Sequence, residues 1–245
     1  MRMRPRRLAL AALALAAASS PFWAPPLLRK VGWFAARRVE VSGTRLLAPH
    51  EVLAASGVQV GANVWTDPAA WEAALRRHPV IAGAKVTRRL PHTLRIRVVE
   101  KTPAAFVQAG TLRPATADGE VLPVDPARSA VDLPLLAARV KADGRRRIAD
   151  EGARAALAEA ARLAALDPAL MARVSELRPL PRGDLRFTLG KADVLLRPGI
   201  GEPGLVRLRA ALDDVERRAR SDTLQVGRTV IDARFEDQVV VRHES

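Results

Sequence analysis

The sequence predicts an α+β protein in three parts: an N-terminal membrane anchor, a small unit ordered strand, helix, helix, strand, strand, and a larger mixed, mainly antiparallel sheet domain with covering helices. Three observations predict it. An uncharged run of membrane-spanning length follows four arginines at the N-terminus. A short alternating strand, two proline-opened helical patterns and then two extended runs fill residues 36–102. Beyond residue 103, short alternating segments with glycine turns are interleaved with two long helical patterns.

The first part begins with Arg2, Arg4, Arg6 and Arg7, and Leu8–Leu28, "LALAALALAAASSPFWAPPLL", then carries no charge. A helix of that length reaches about 31 Å, against a hydrocarbon core of about 30 Å. We read residues 8–28 as a retained transmembrane signal anchor, residues 1–7 as its cytoplasmic tail and residues 29–35 as a linker. Phe22, Trp23, Trp33 and Phe34 supply interfacial aromatics. The small residues "AAASS" also suit a cleaved signal peptide, and Pro21, Pro25 and Pro26 weaken the second half of a spanning helix. Both readings export the rest of the chain. Charge gives orientation little bias, because Arg29, Lys30, Arg37 and Arg38 balance the leading arginines.

In "RRVEVSG", Val39 and Val41 alternate with Glu40 and Ser42, a half-buried strand ending at Gly43. Pro49 opens a helix over 49–56, with Glu51 in its first turn, Gly57 as its stop and Ala48 where a hydroxyl cap is usual. Asp67 and Pro68 open a second helix, along which Trp71, Ala74, Leu75 and His78 recur at helical spacing before Pro79 ends it. Extended runs at 80–88 and 93–100 follow. In the second, Leu94, Ile96 and Val98 alternate with Arg95, Arg97 and Val99.

The remainder opens with short strands and an Asp118-Gly119 turn, the strongest short hairpin signal in the chain. An alanine-rich helix from about Ala149 to Ala165 comes next. Runs at 174–178, 185–189 and 193–197 read as strands of a meander. In "GLVRLRAALDDVERRARS", Leu205, Leu208, Leu212, Val215 and Ala219 share one face of a sheet-covering helix. The chain closes on a β-branched strand through Val239, Val240 and Val241, after a Glu236-Asp237 turn. Too little follows it to cover its free edge. On this reading a proline at Val240 deletes an edge donor.

Chemistry-bearing patterns are sparse. The chain has no cysteine, so disulfides and thiolate metal sites are excluded. His50, His78, His92 and His243 lie far apart without carboxylates at ligand spacing, so no metal site is expected. No serine sits in a nucleophile elbow, and Asp213 and Asp214 point in different helical directions. Gly199, Gly201 and Gly204 form a literal G-x-G-x-x-G between a strand and a helix. Pro203, however, removes an N–H from any phosphate cradle, and no acidic residue ends a strand about 20 residues on. No cofactor and no small-molecule ligand are expected, and the chain is read as not an enzyme. The net charge of +14 is a diffuse excess of arginine with few aromatics, so nucleic acid is not an expected partner.

Four pieces, in order over residues 35–243, carry a family resemblance: "VEVSG", "GANVW", "HPVIAGAKVTRRLPHTLRIRVVEKTPAA" and "IDARFEDQVVVR". Together they resemble the FtsQ/DivIB family of bacterial cell division proteins, with a POTRA-like domain at 36–102, an FtsQ-type β domain at 103–243 and a tail at 244–245. The resemblance implies a non-catalytic divisome scaffold, bitopic in the bacterial inner membrane. Its N-terminus would be cytoplasmic and its bulk extracytoplasmic, at the division septum. It would recruit membrane-anchored partners, FtsB/FtsL-like, by strand augmentation and so regulate septal wall synthesis. It also implies a partner site at the terminal edge: Arg234 and Phe235 of the family's D-x-R-[YF] pattern, with Val239, Val240, Val241 and Arg242. Arg234 would grip a partner carboxylate, and Phe235 would add an apolar contact. The alternative is an exported POTRA module in outer-membrane protein assembly or secretion. Neither repeated units nor a run of barrel strands accompanies it here.

Overall fold

The computed structural model describes residues 14–15, 18–19, 28, 32–59, 61–128, 131–141, 143–144, 146–221, 227–235 and 237–244. The predicted anchor at 8–28 therefore falls almost wholly outside the described residues. Among those, no helix is long and apolar enough to cross a membrane. The chain divides into two compact units between Glu100 and Lys101.

The first unit is a three-stranded sheet of β1 (Arg38–Ser42), β2 (Ile81–Arg89) and β3 (Thr93–Glu100), with helices α1 (Pro49–Ser56) and α2 (Ala69–Arg76). Its strand order is β1-β3-β2, with β1 parallel and β2 antiparallel to the central β3. Alternation along the strands sends Val39, Val41, Val86, Leu94, Ile96 and Val98 into one core with Val52, Val64 and Leu75. Glycine is required at Gly43, where φ is 89° and a Cβ would lie 2.0 Å from the Val98 carbonyl oxygen.

Three glutamates complete backbone groups that local sequence leaves open. Ala48 offers α1 no side-chain cap. Instead the Glu51 carboxylate accepts from the Ala48 N–H at 2.8 Å, and Glu100 accepts from Arg45, Leu46 and Leu47 at 2.8, 2.7 and 3.0 Å. Glu72 of α2 reaches the edge strand β2 and accepts from the Val86 N–H at 2.9 Å, with Lys85 3.4 Å away. That occupies a donor which an exposed strand edge offers to another chain.

The Val86 N–H, followed by Lys85 and Arg76, holds the Glu72 carboxyl below the ordinary glutamate range despite burial. A depressed pKa contributes stability that is present above the unfolded value and lost as the pH falls through the folded one. Glu72→Gln should thus lower the stability of this unit by about 1–2 kcal/mol at neutral pH. The deficit should narrow as the pH drops below the glutamate range. Thermal unfolding of both proteins at pH 7 and at pH 3 checks it; a deficit that stays constant excludes the charge as its source.

Among the described residues the second unit holds eight strands: β4 (Pro103–Ala109), β5 (Thr111–Thr116), β6 (Leu135–Arg139), β7 (Glu176–Pro179), β8 (Leu185–Leu189), β9 (Ala192–Leu196), β10 (Arg228–Asp232) and β11 (Val240–Glu244). They form one sheet in the order β11-β10-β9-β8-β7-β6-β4-β5. The β4/β6, β6/β7 and β9/β10 pairs are parallel and the other four antiparallel, so the sheet is mixed. The hairpin of β4 and β5 turns at Gly110 (φ 79°), whereas Asp118-Gly119 closes a smaller loop that pairs Ala115 with Val121. Strand β6 was not expected: "LLAAR" has the composition of a helix, and its place between two parallel neighbours is set by tertiary packing.

Helix α3 (Glu151–Leu166) is capped by Asp150, which accepts from the Ala153 N–H at 2.6 Å. It packs Ala153, Ala156, Leu157, Ala160 and Leu163 against the sheet. A short α4 (Pro168–Met171) follows, and α5 (Glu202–Ser221) crosses over between the parallel strands β9 and β10, burying Leu205, Leu208 and Leu212.

Candidate partner-binding edge

One apolar cross-strand row runs from β4 to the terminal strand on the helix-covered face of the second sheet. From β4 outward it reads Val107, Leu136, Leu177, Phe187, Val194, Ile231 and Val241. The first six are at most 2 % exposed, while Val241, on the terminal strand β11, is 40 % exposed. Val241 has the buried Ile231 as its register neighbour on the inner side. Among the described residues no strand or bridge pairs with the outer side of β11.

The other edge of the sheet is covered over Pro114–Thr116. Pro114 of β5 has no N–H, its carbonyl accepts from Leu122 N at 2.8 Å, and Thr116 N donates to Glu120 O at 3.0 Å. Among the described residues the two edges therefore differ: part of β5 is covered, and no strand or bridge covers β11.

The ladder also says which groups of β11 face outward. Thr229 N and Ala233 N of the β10 segment donate toward β9, to Lys191 O at 3.1 Å and Leu195 O at 2.8 Å. Residues 228, 230 and 232 then face β11, where their register partners are Glu244, Arg242 and Val240. Val240 thus turns its backbone inward, and Val241 and His243 present theirs to the outside. This corrects the sequence expectation: a proline at Val240 removes a ladder bond within the sheet, and one at Val241 removes an edge donor.

Arg234 and Phe235 lie just beyond β10, beside this edge. The Arg234 guanidinium is committed within its own chain: Nε and Nη2 reach both oxygens of Asp232 at 2.8 and 2.6 Å, and Nη1 reaches Asp184 at 3.0 Å. The Asp232 carboxyl, almost fully buried, is held below its ordinary range by the Arg234 hydrogen bonds. Arg234 in turn is raised, Asp232 first and Asp184 second among the causes. The bidentate grip that the sequence suggests is therefore made on Asp232. Phe235, in contrast, is 45 % exposed and borders a cleft of about 350 Å³ with Pro198, Ile200, Pro203 and Arg207. Val239 precedes β11 and packs against the core, while Arg242 is exposed on the strand. Glu236 lies outside the described residues.

Sequence reasoning missed Asp184 and Asp232. Asp232 was detectable, since it is the aspartate of the D-x-R-F stretch, two residues before Arg234. Asp184, fifty residues away, was not. The G-x-G-x-x-G segment has its own tether: Glu159 accepts from Gly199 N at 3.1 Å while pairing with Arg162, which also donates to Ile200 O at 2.9 Å. No group of three His, Cys, Asp or Glu side chains able to hold a metal occurs among the described residues.

A profile of the FtsQ-type POTRA domain matches residues 34–101. The cell division protein FtsQ of Rhodothermus marinus is 35 % identical over 224 residues, covering 85 % of this chain and 77 % of that protein. The chain belongs to the FtsQ family. The FtsQ proteins of Myxococcus fulvus, 32 % identical over 181 residues, and of an Anaeromyxobacter species, 35 % identical over 136 residues, are further relatives. The matches span 63 % and 46 % of those two proteins. Its role accordingly lies in cell division, and its first unit is an FtsQ-type POTRA domain.

Proposed function

We propose that the chain is a non-catalytic assembly factor of the division machinery that receives a partner strand along β11. A membrane-anchored division protein, FtsB- or FtsL-like, adds its strand outside Val241 and His243. In doing so it extends the apolar row that ends at Val241. That row, six buried residues followed by one left half open, carries the reading. Phe235 contributes an apolar contact in the neighbouring cleft, and Arg234 holds the corner in shape from within. In this reading residues 8–28 hold the protein in the bacterial inner membrane with the N-terminus cytoplasmic. Residues 36–102 and 103–243 then act outside it, at the septum, where partner recruitment regulates wall synthesis.

Paired prolines test it. Val241→Pro deletes an outward N–H at an edge position that tolerates proline, so the fold should survive and partner recruitment should be lost. Val240→Pro removes an inward bond and should lower the melting temperature. The readouts are co-purification of the membrane partners and thermal unfolding by circular dichroism. Full recruitment by a folded Val241→Pro variant would overturn the β11 assignment.

A further inference from the structure

The POTRA unit carries a second surface that partner addition at β11 does not use. Trp33 and Leu90, two large apolar side chains, are 62 % and 53 % exposed. They belong to the same end of the unit. The Trp33 ring meets the His92 ring edge-on at 5.6 Å, next to the 90–92 turn between β2 and β3. Arg37 N and Arg38 N both donate to His92 O, at 2.9 and 3.2 Å, which fixes the start of β1 against that turn.

The uncovered face of the sheet adds charge there. Arg38 and Arg89 flank Thr93 in one cross-strand row, and Arg95 and Arg97 follow along β3. Glu40 is the carboxylate on that face, 3.7 Å from Arg89 and 3.0 Å from Arg95, so cations stay in excess. The place where the chain enters is also fixed. Leu28, the last residue of the uncharged run, has its carbonyl oxygen bonded to Asn63 Nδ2 at 3.2 Å, and Asn63 bridges to Ala35. The apolar run thus ends five residues before Trp33, on the loop that borders this end of the unit.

We infer that this end of the POTRA unit docks on an anionic phospholipid surface. Trp33 and Leu90 insert at headgroup level, and Arg37, Arg38 and Arg89 lie against lipid phosphates. The inference rests on the reading that residues 8–28 are held in the bilayer. An exposed tryptophan beside an apolar turn, ringed by arginines and tied to the end of an apolar run, has the chemistry of a membrane interface. The docking fixes the tilt of the unit on the membrane.

The chain has no cysteine, so single labels are clean. Leu90→Cys, Leu15→Cys and Val206→Cys each receive an environment-sensitive fluorophore. The full chain is then reconstituted into phosphatidylcholine vesicles with or without phosphatidylglycerol. Quenching by headgroup-level lipid nitroxides is read against quenching by aqueous iodide. With phosphatidylglycerol, the label at 90 should be quenched by lipid nitroxides at least about threefold more strongly than without it. Changing Arg37, Arg38 and Arg89 together to glutamine should remove that gain, and the label at 206 should stay aqueous. The lipid comparison uses one protein and so does not depend on the folding of the triple variant. A label at 90 as open to iodide as that at 206, with the label at 15 lipid-shielded, overturns the docking while the anchor stands; an acidic protein partner then becomes the claimant for the face. An aqueous label at 15 overturns the anchor and the docking together.

Discussion

Leu94→Asp is expected to unfold the POTRA unit, and Arg95→Ser, one residue along the same strand, to leave it folded. Leu94 is 1 % exposed on the central strand β3, with Val39 and Arg88 as its register neighbours. A carboxylate there enters an apolar core beside Arg88, whose guanidinium is already committed to the Val64 and Thr66 carbonyls, and burying an unpaired charge costs several kcal/mol. A unit of this size has little more than that to lose. Arg95 faces the other way and donates to Glu40 at 3.2 and 3.0 Å on an open surface. Such a pair contributes about 0–1 kcal/mol. Thermal unfolding together with amide exchange resolved by unit separates the outcomes. Protection should vanish across β1–β3 in Leu94→Asp alone, and equal losses in the two variants would refute the strand's facing.

The POTRA unit was legible because its signals are local. Proline at the head of α1, glycine behind it and strict alternation along β3 each act within a few residues, and the family order follows from them. The second unit was legible where the pattern was equally local, as in β8 and α5. It was opaque where packing decides. Strand β6 reads as helix by composition and becomes a strand because β4 and β7 flank it. The strand itself was foreseeable from the β-branched run Val239–Val241. Which of its residues face outward was not, because that depends on β10 pairing in parallel with β9 across the α5 crossover.

The arginine of the D-x-R-F stretch marks the same limit and yields the other large effect. Arg234→Glu should destabilise the second unit strongly, by about 3 kcal/mol or more, because it strips a buried carboxylate of its partner. Asp232 is 2 % exposed and takes three donors from Arg234: the backbone N–H at 3.2 Å, Nε and Nη2. The substitution also sets a third carboxylate beside Asp232 and Asp184. Since the Asp232 pKa is depressed, the stability this pair contributes is present at neutral pH and lost as the pH falls through the folded value. The gap between wild type and Arg234→Glu should therefore shrink in acid. Arg234→Lys keeps the charge without the two-pronged geometry and should fall between the two. Phe235→Ala, half exposed at the cleft, should keep the wild-type melting temperature and lose partner recruitment. Together these variants separate holding the corner from contacting the partner. A melting temperature unchanged in Arg234→Glu would mean that Asp232 is not buried against Arg234 in solution, and would return Arg234 to the contact surface.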